Sequence, residues 1–411
     1  MEKAVTHQHE NSADALATHA LWGTVSGFCA SLVGIGLARF AYTPLLPALV
    51  DAHWFEASRA AYLGAANLAG YLAGALLGRM IAARSSTAFA LRTMMLLASV
   101  AFVACAYPVS FLWFFVWRFL AGLAGGTLMV LAAPAVLPLV RPSRRGIAGG
   151  IIFMGVGAGV AASGTLVPLL LQQGLRDTWL GLGVISLMLT VIAWKGWPQA
   201  PEKAGHASTP PRHRHAPSGR ALRALYLEYA LNAAGWVPHM IFLVAYVAHG
   251  LGQGLQTGAE YWVLFGIGAT LGPLFAGLLA DRIGFARALR LAFVLEGFGI
   301  VLPVFGWGGV WLAISSVVVG AFVTGTVPLV LGRIHELLAR HPSQQGPAWR
   351  TATVGFALFQ AVAAYGLSFI FSRSDDDYNL LFIIGTCAIA LALAIDLFTA
   401  ARGKAAEHDL R

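Results

Sequence analysis

"WGTVSGFCASLVGIGLARFAYTPLLPALV", Trp22–Val50, is an apolar run that carries one charged side chain, Arg39. About 20 apolar residues cross the roughly 30 Å hydrocarbon core of a bilayer as a helix, so the run reads as a membrane span. An arginine placed mid-span costs about 2.5–3.5 kcal/mol on insertion scales. Such a residue needs a partner or a task. Helical spacing puts Tyr42 and Thr43 at i+3 and i+4 from Arg39, with Pro44 just beyond. This cationic and aromatic face is expected to point inward, because intramembrane charges usually mark a substrate or ion path.

The rest of the chain repeats the pattern. Its 411 residues are 58% hydrophobic and 11% charged, a composition that no ordinary soluble domain sustains. Twelve apolar stretches are expected as helices over 22–50, 58–81, 87–107, 110–139, 146–171, 177–197, 221–249, 259–280, 286–305, 308–338, 348–371 and 378–400. The fold class is therefore an all-α membrane protein. Residues 1–20 carry Glu2, Glu10 and Asp14 and lack the basic start of a secretory signal, so the first span is expected to stay as an anchor.

The net charge of +9 could suggest nucleic acid, but the basic residues sort by side of the membrane. One set of loops holds Arg79, Arg84, Arg92, Arg141, Arg144, Arg145, Arg282, Arg287 and Arg340, together with the stretch between the sixth and seventh spans. The other set holds Arg59, Arg176 and Arg373 against Asp51, Glu56, Asp177, Glu260 and Asp375–Asp377. The positive-inside rule makes the first set and both termini cytoplasmic, in a multi-pass protein of the cell's inner membrane. The partner implied is the lipid bilayer, with no nucleic acid.

"PQAPEKAGHASTPPRHRHAPSGR", Pro198–Arg220, has no hydrophobic period and divides six spans from six. The expected organisation is a tail over 1–21, a six-helix bundle over 22–197, a cytoplasmic linker over 198–220, a second bundle over 221–401 and a tail over 402–411. His206, His213 and His215 in the linker, and His7 and His9 in the tail, read as solvated rather than metal-binding. Cys29, Cys105 and Cys387 fall in separate spans and form neither a disulfide framework nor a metal cluster. No cofactor and no metal are expected. The halves echo one another: "ARFAYTPLLPALV" has a counterpart in "AAGWVPHMIFLVA", and both of these spans are expected to be broken. Internal repetition of this kind belongs to secondary transporters, whose substrate lies between the repeats near the bilayer midplane.

Further polar residues fall within spans. Glu228, Asn232, Gly235, Trp236 and His239 share one stripe of the seventh helix and could exchange a proton, as could Glu296 in the ninth span. Asn67 with Tyr71, and Phe356 with Gln360, are polar and aromatic pairs at i, i+4 that could line a cavity or simply pack. Arg118 in the fourth span heads a strip of small residues, Gly122 and Gly125 or Gly126. No phosphate-binding loop and no nucleophile, base and metal set is present, so an enzyme is not expected.

"GLLADRIGFARALR", Gly277–Arg290, resembles the turn signature of the major facilitator superfamily through Gly277, Asp281, Arg282 and Gly284, and the resemblance extends over the whole chain. It implies twelve transmembrane helices in two pseudo-symmetric six-helix bundles, with those four residues as a gating motif. In the first half "GALLGRMIAARSSTAFALR" keeps Gly74 and Arg79 but has Gly78 where the acidic residue is expected. Arg118 and Gly122 resemble the family's Arg-x-x-x-Gly motif, whose arginine is associated with proton coupling. "GIGLARFAYTPLLP" is similar to the first span of the YbfB-like branch of the superfamily. The expected protein is a monomeric, proton-coupled secondary transporter of a small organic solute, anionic or carboxylate-bearing, moving by alternating access. The candidate binding residues are Arg39, Tyr42, Thr43, Asn67, Tyr71, Asn232, Trp236, Phe356 and Gln360, and the coupling candidates are Arg118, Glu228, His239 and Glu296. The alternatives are a proton-driven exporter of amphipathic compounds and a membrane sensor that does not transport.

Overall fold

In lipid each backbone N–H and C=O must find a partner within the protein, so apolar runs of this length form helices. A computed structural model describes residues 18–141, 145–198, 219–374 and 377–408. Residues 1–17 of the expected tail over 1–21, the linker histidines, Arg144, Asp375 and Asp376 lie outside the described residues.

Among the described residues twelve helices are long and apolar enough to cross a membrane: α1 Thr18–Asp51, α2 Ala57–Arg84, α3 Thr87–Cys105, α4 Phe111–Leu139, α5 Ala148–Leu171, α6 Leu175–Ala193, α7 Arg220–Gly250, α8 Gly254–Ile283, α9 Phe285–Phe305, α10 Gly309–Leu337, α11 Pro342–Phe371 and α12 Tyr378–Arg402. The two faces of the helix array are the linker face, where α6 ends and α7 begins, and the far face. Four ends depart from the expected spans by four residues or more. α1 starts at Thr18 rather than 22. α8 starts at Gly254 rather than 259 and α11 at Pro342 rather than 348, because "GLQTG" and "PSQQGP" continue the helix past the apolar window, and Pro342 suits a first turn. α6 stops at Ala193 rather than 197, where "KGWP" breaks it.

Both α1 and α7 are interrupted, as the repeat predicts. α1 winds into a π-helical turn over Leu32–Leu37, passes through a non-helical turn at 38–41 and resumes at Tyr42. Pro44 has no N–H to offer the Phe40 carbonyl, which takes the Thr43 N–H at 3.2 Å instead. α7 breaks at Trp236 and restarts over Val237–Ala245 with Pro238 in its first turn.

Glycine seams hold the bundles. Gly70 and Gly74 of α2 face Phe119 and Leu123 of α4, while Gly122 and Gly126 of α4 face Asn67 and Tyr71 of α2. A Cβ on Gly122 would sit 1.8 Å from the Asn67 carbonyl oxygen. The second half repeats the device: Gly268 and Gly272 of α8 meet Val317 and Ala321 of α10, and Gly320 meets Phe265. Between the halves, Gly157 of α5 abuts the Thr270 backbone of α8 and Gly266 abuts Ala161.

Gly122→Val should therefore force α2 and α4 apart and cost about 1–3 kcal/mol of packing. The check is thermal unfolding of purified protein, with a lowered midpoint expected for Gly122→Val. Gly366→Ala, where a Cβ meets nothing within 4 Å, should leave it unchanged or slightly raised.

Candidate functional site

The break in α1 releases the Ala38 carbonyl from the helical ladder, and side chains of other helices take it. Arg118 Nη1 donates to Ala38 O at 2.8 Å, and Asn67 Nδ2 donates to the same oxygen at 3.4 Å and to Arg118 O at 3.1 Å. The Arg118 guanidinium lies 4.3 Å from the centroid of the Tyr42 ring, whose hydroxyl donates to Ala60 O at 2.6 Å. Arg118, Asn67 and Tyr42 thus form a polar knot inside the first bundle that pins the interrupted helix. Arg118 and Asn67 were expected on separate features, and the knot brings them to one carbonyl.

One residue beyond the pinned carbonyl, Arg39 projects to the seam with the second bundle. It is 8% exposed, donates from Nη2 to Met240 Sδ at 3.0 Å, and leaves Nε without a partner. The guanidinium lies 5.0 Å from the Phe40 ring, 5.1 Å from Tyr71 and 5.5 Å from Trp236. Among the described residues no carboxylate pairs with it. Thr43 donates to the Met240 carbonyl, a second tie between α1 and α7.

Trp236, at the α7 break, stands between the halves: its ring is 6.3 Å from Phe40 and 6.3 Å from Phe356, and its buried Nε1 has no partner. Gln360, one turn along α11 from Phe356, is fully buried with neither amide atom partnered. Direct contacts across the seam occur at this level and toward the far face, and the α5–α8 contact of Gly157 with Thr270 extends them toward the linker face. They include Phe40 with Trp262, Trp262 Nε1 donating to Ser163 Oγ at 3.1 Å, Tyr62 with Tyr365, and Asp51 with His249 at 3.1 Å.

The expected single stripe on α7 is split by the break. Asn232 turns into its own bundle, donating from Nδ2 to Glu296 Oε2 of α9, and Thr326 of α10 donates to Asn232 Oδ1 at 3.4 Å. Gly235 packs on Ile389 and Gly385 of α12. His239, fully buried, bonds through Nε2 to Ser315 Oγ at 2.8 Å. Trp236 alone among these faces the other half. Glu296 is fully buried, with Oε1 unpartnered. Glu228 is buried nearer the linker face, with Asp396, Arg333 and Arg290 as its charged neighbours. Asp281 and Arg282 end α8, both exposed, and Gly284 makes the turn with φ +83°. A Cβ on Gly277 meets nothing within 4 Å, whereas its first-half counterpart Gly74 is packed against Leu123.

Met240, Phe40, Ser315 and Thr326 were not singled out from sequence. Phe40 is next to Arg39 and Met240 is four residues after Trp236, so position was the available signal. Met, Ser and Thr are too common in membrane helices to stand out.

Comparison with known proteins agrees with this architecture. Residues 31–397 match the sequence family described as "Uncharacterised MFS-type transporter YbfB". The chain belongs to this major facilitator family. Among solved structures, the partially occluded inward-open conformation of the xylose transporter XylE from E. coli superposes with a TM-score of 0.71 at 14% identity, covering 92% of this chain and 97% of that one. At that identity the likeness establishes the fold. The major facilitator protein is a multi-pass membrane transporter of the secondary type, not an enzyme.

Arg118→Met in this transporter should leave the Ala38 carbonyl with only the long Asn67 contact. A loss of about 1.5–3 kcal/mol is expected for a hydrogen bond from a charged group. Thermal unfolding measures it, and Arg118→Lys should recover part of the loss.

Proposed function

We propose that the protein moves a small carboxylate-bearing solute by alternating access, with Arg39 as the group that receives the carboxylate. The supporting observation is a buried guanidinium at the seam of the two bundles, ringed by aromatics and bonded only to a thioether sulfur. A charge in such a place is costly unless something pairs with it. A carboxylate offers the planar oxygen pair that a guanidinium matches. Thr43, Tyr71, Trp236, Phe356 and Gln360 complete the surface, while Tyr42 and Asn67 act by holding the α1 break.

The cross-seam contacts support a state closed at the far face. In this reading the linker face and both termini are cytoplasmic, by the positive-inside rule, and the protein is a monomer of the inner membrane. Alternation would break the Arg39–Met240, Thr43–Met240 and Asp51–His249 ties and form new ones near the linker, where the turn residues Gly277, Asp281, Arg282 and Gly284 lie.

Coupling is assigned to protons, with Glu296 as carrier. Its carboxyl is buried between α7, α9 and α10, so proton exchange requires those helices to separate, which ties protonation to the cycle. Glu228 stands toward the linker face as a relay, and His239 is held by Ser315 as a neighbouring polar group. Arg118 contributes by fixing α1.

Two measurements test this. A carboxylate library screened by thermal shift should yield ligands whose affinity falls at least about tenfold in Arg39→Ala; equal binding to both proteins would reject Arg39 as the receptor. In proteoliposomes, Glu296→Gln should keep solute exchange but lose accumulation driven by a proton gradient. Undiminished accumulation would remove Glu296 from coupling.

A further inference from the structure

We infer that the solute is a flat, conjugated carboxylate with a second hydrogen-bonding group, its ring lying among Phe40, Tyr71, Trp236 and Phe356 and its second group read by Gln360. The inference rests on the carboxylate reading above and specifies what lies beyond the carboxylate.

Asn67 Oδ1, an acceptor, is also left without a partner, on the first-bundle side where Asn67 Nδ2 holds the α1 break; the unpartnered atoms that line the seam are of two kinds. Arg39 Nε and Trp236 Nε1 are donors only, both buried, on either side of the seam. They suit an acceptor-only group. Gln360 holds an unpartnered carbonyl oxygen and an unpartnered amide nitrogen, so it suits a group that both donates and accepts, such as a hydroxyl. A fully buried amide with neither atom bonded is rare, and it costs stability unless a ligand completes it.

Position places these groups together. α2 and α11 run antiparallel, and the ring of Tyr62 meets that of Tyr365 at 6.3 Å. Five residues toward the linker face from that pair stand Asn67 on one helix and Gln360 on the other, and one turn further stand Tyr71 and Phe356. Tyr71 faces Arg39 and Phe356 faces Trp236, so Gln360 lies about one turn from the guanidinium's aromatic walls.

The walls choose the shape of the solute. Ring centroids 4.5–7 Å apart in tilted or offset arrangements accept another flat π-system at a gain that a saturated ring does not collect. Phe40–Trp236 and Trp236–Phe356 are both tilted pairs in this range. Their contact closes the seam in this state, and a flat ring entering as the bundles part would replace one ring face with another.

The test is equilibrium binding of four probes to the purified full-length protein: butyrate, cyclohexanecarboxylate, benzoate and 4-hydroxybenzoate. Benzoate is expected to bind about two- to tenfold tighter than cyclohexanecarboxylate, the gain of an added ring contact. 4-Hydroxybenzoate is expected to gain a further fold-change of about ten through Gln360, and Gln360→Leu should shrink that preference toward one. Arg39-dependent binding of butyrate and cyclohexanecarboxylate as tight as that of benzoate would overturn the flat-ring inference while leaving the carboxylate reading standing. Benzoate and 4-hydroxybenzoate binding alike to the wild type would overturn the role given to Gln360. Failure of all four to bind in an Arg39-dependent manner would overturn the carboxylate reading itself.

Discussion

A guanidinium buried between two helical bundles, without an acidic partner among the described residues, is the constraint around which the interior is arranged. Its desolvation has to be offset locally, and Phe40, Tyr71 and Trp236 offset part of it through their ring faces, with Met240 sulfur as the one hydrogen-bond acceptor. This is a weak complement for a full charge. In the proposed function, a charge kept in this way at the seam of two movable halves holds part of the binding free energy in reserve for a ligand.

Placing Arg39 there depends on the interruption of α1. An unbroken helix would keep the Ala38 carbonyl in its own ladder. The π-helical turn and Pro44 release it, and Arg118 and Asn67 from α4 and α2 hold it at a fixed orientation. The α2–α4 glycine seam brings those two helices close enough for this, since Asn67 and Gly122 are themselves in backbone contact. The second half has the related break at Trp236 and the related seam between α8 and α10, but its polar groups are used differently. Asn232 reaches Glu296, and the carboxyl is kept away from the cation of the other half. Among the described residues no ion pair joins this acid to Arg39, and in the proposed function that leaves the guanidinium for the solute.

Much of the fold was legible because hydrocarbon thickness and backbone satisfaction impose apolar runs of a set length, and the turn at Asp281 carries a family signature. Arg39 was legible for the same reason, since a charge in an apolar run is conspicuous. Partnerships were not. Arg118 and Asn67 converge on a carbonyl, a group that every residue has and no sequence pattern marks. The α7 stripe of Glu228, Asn232, Trp236 and His239 assumed unbroken helical phase, and the break turned Trp236 toward the first half while leaving Asn232 and His239 in the second. Glu296 was legible as a charge in the ninth span; its partner, Asn232, is sixty-four residues away, beyond the reach of any local period.

The central claim is that a carboxylate completes Arg39 at the seam. Its most direct test is an experimental structure of the protein with a bound carboxylate solute. The account predicts carboxylate oxygens about 2.7–2.9 Å from the Arg39 guanidinium nitrogens, with Met240 sulfur displaced. A solute seated elsewhere, with Arg39 still bonded to Met240, would contradict it.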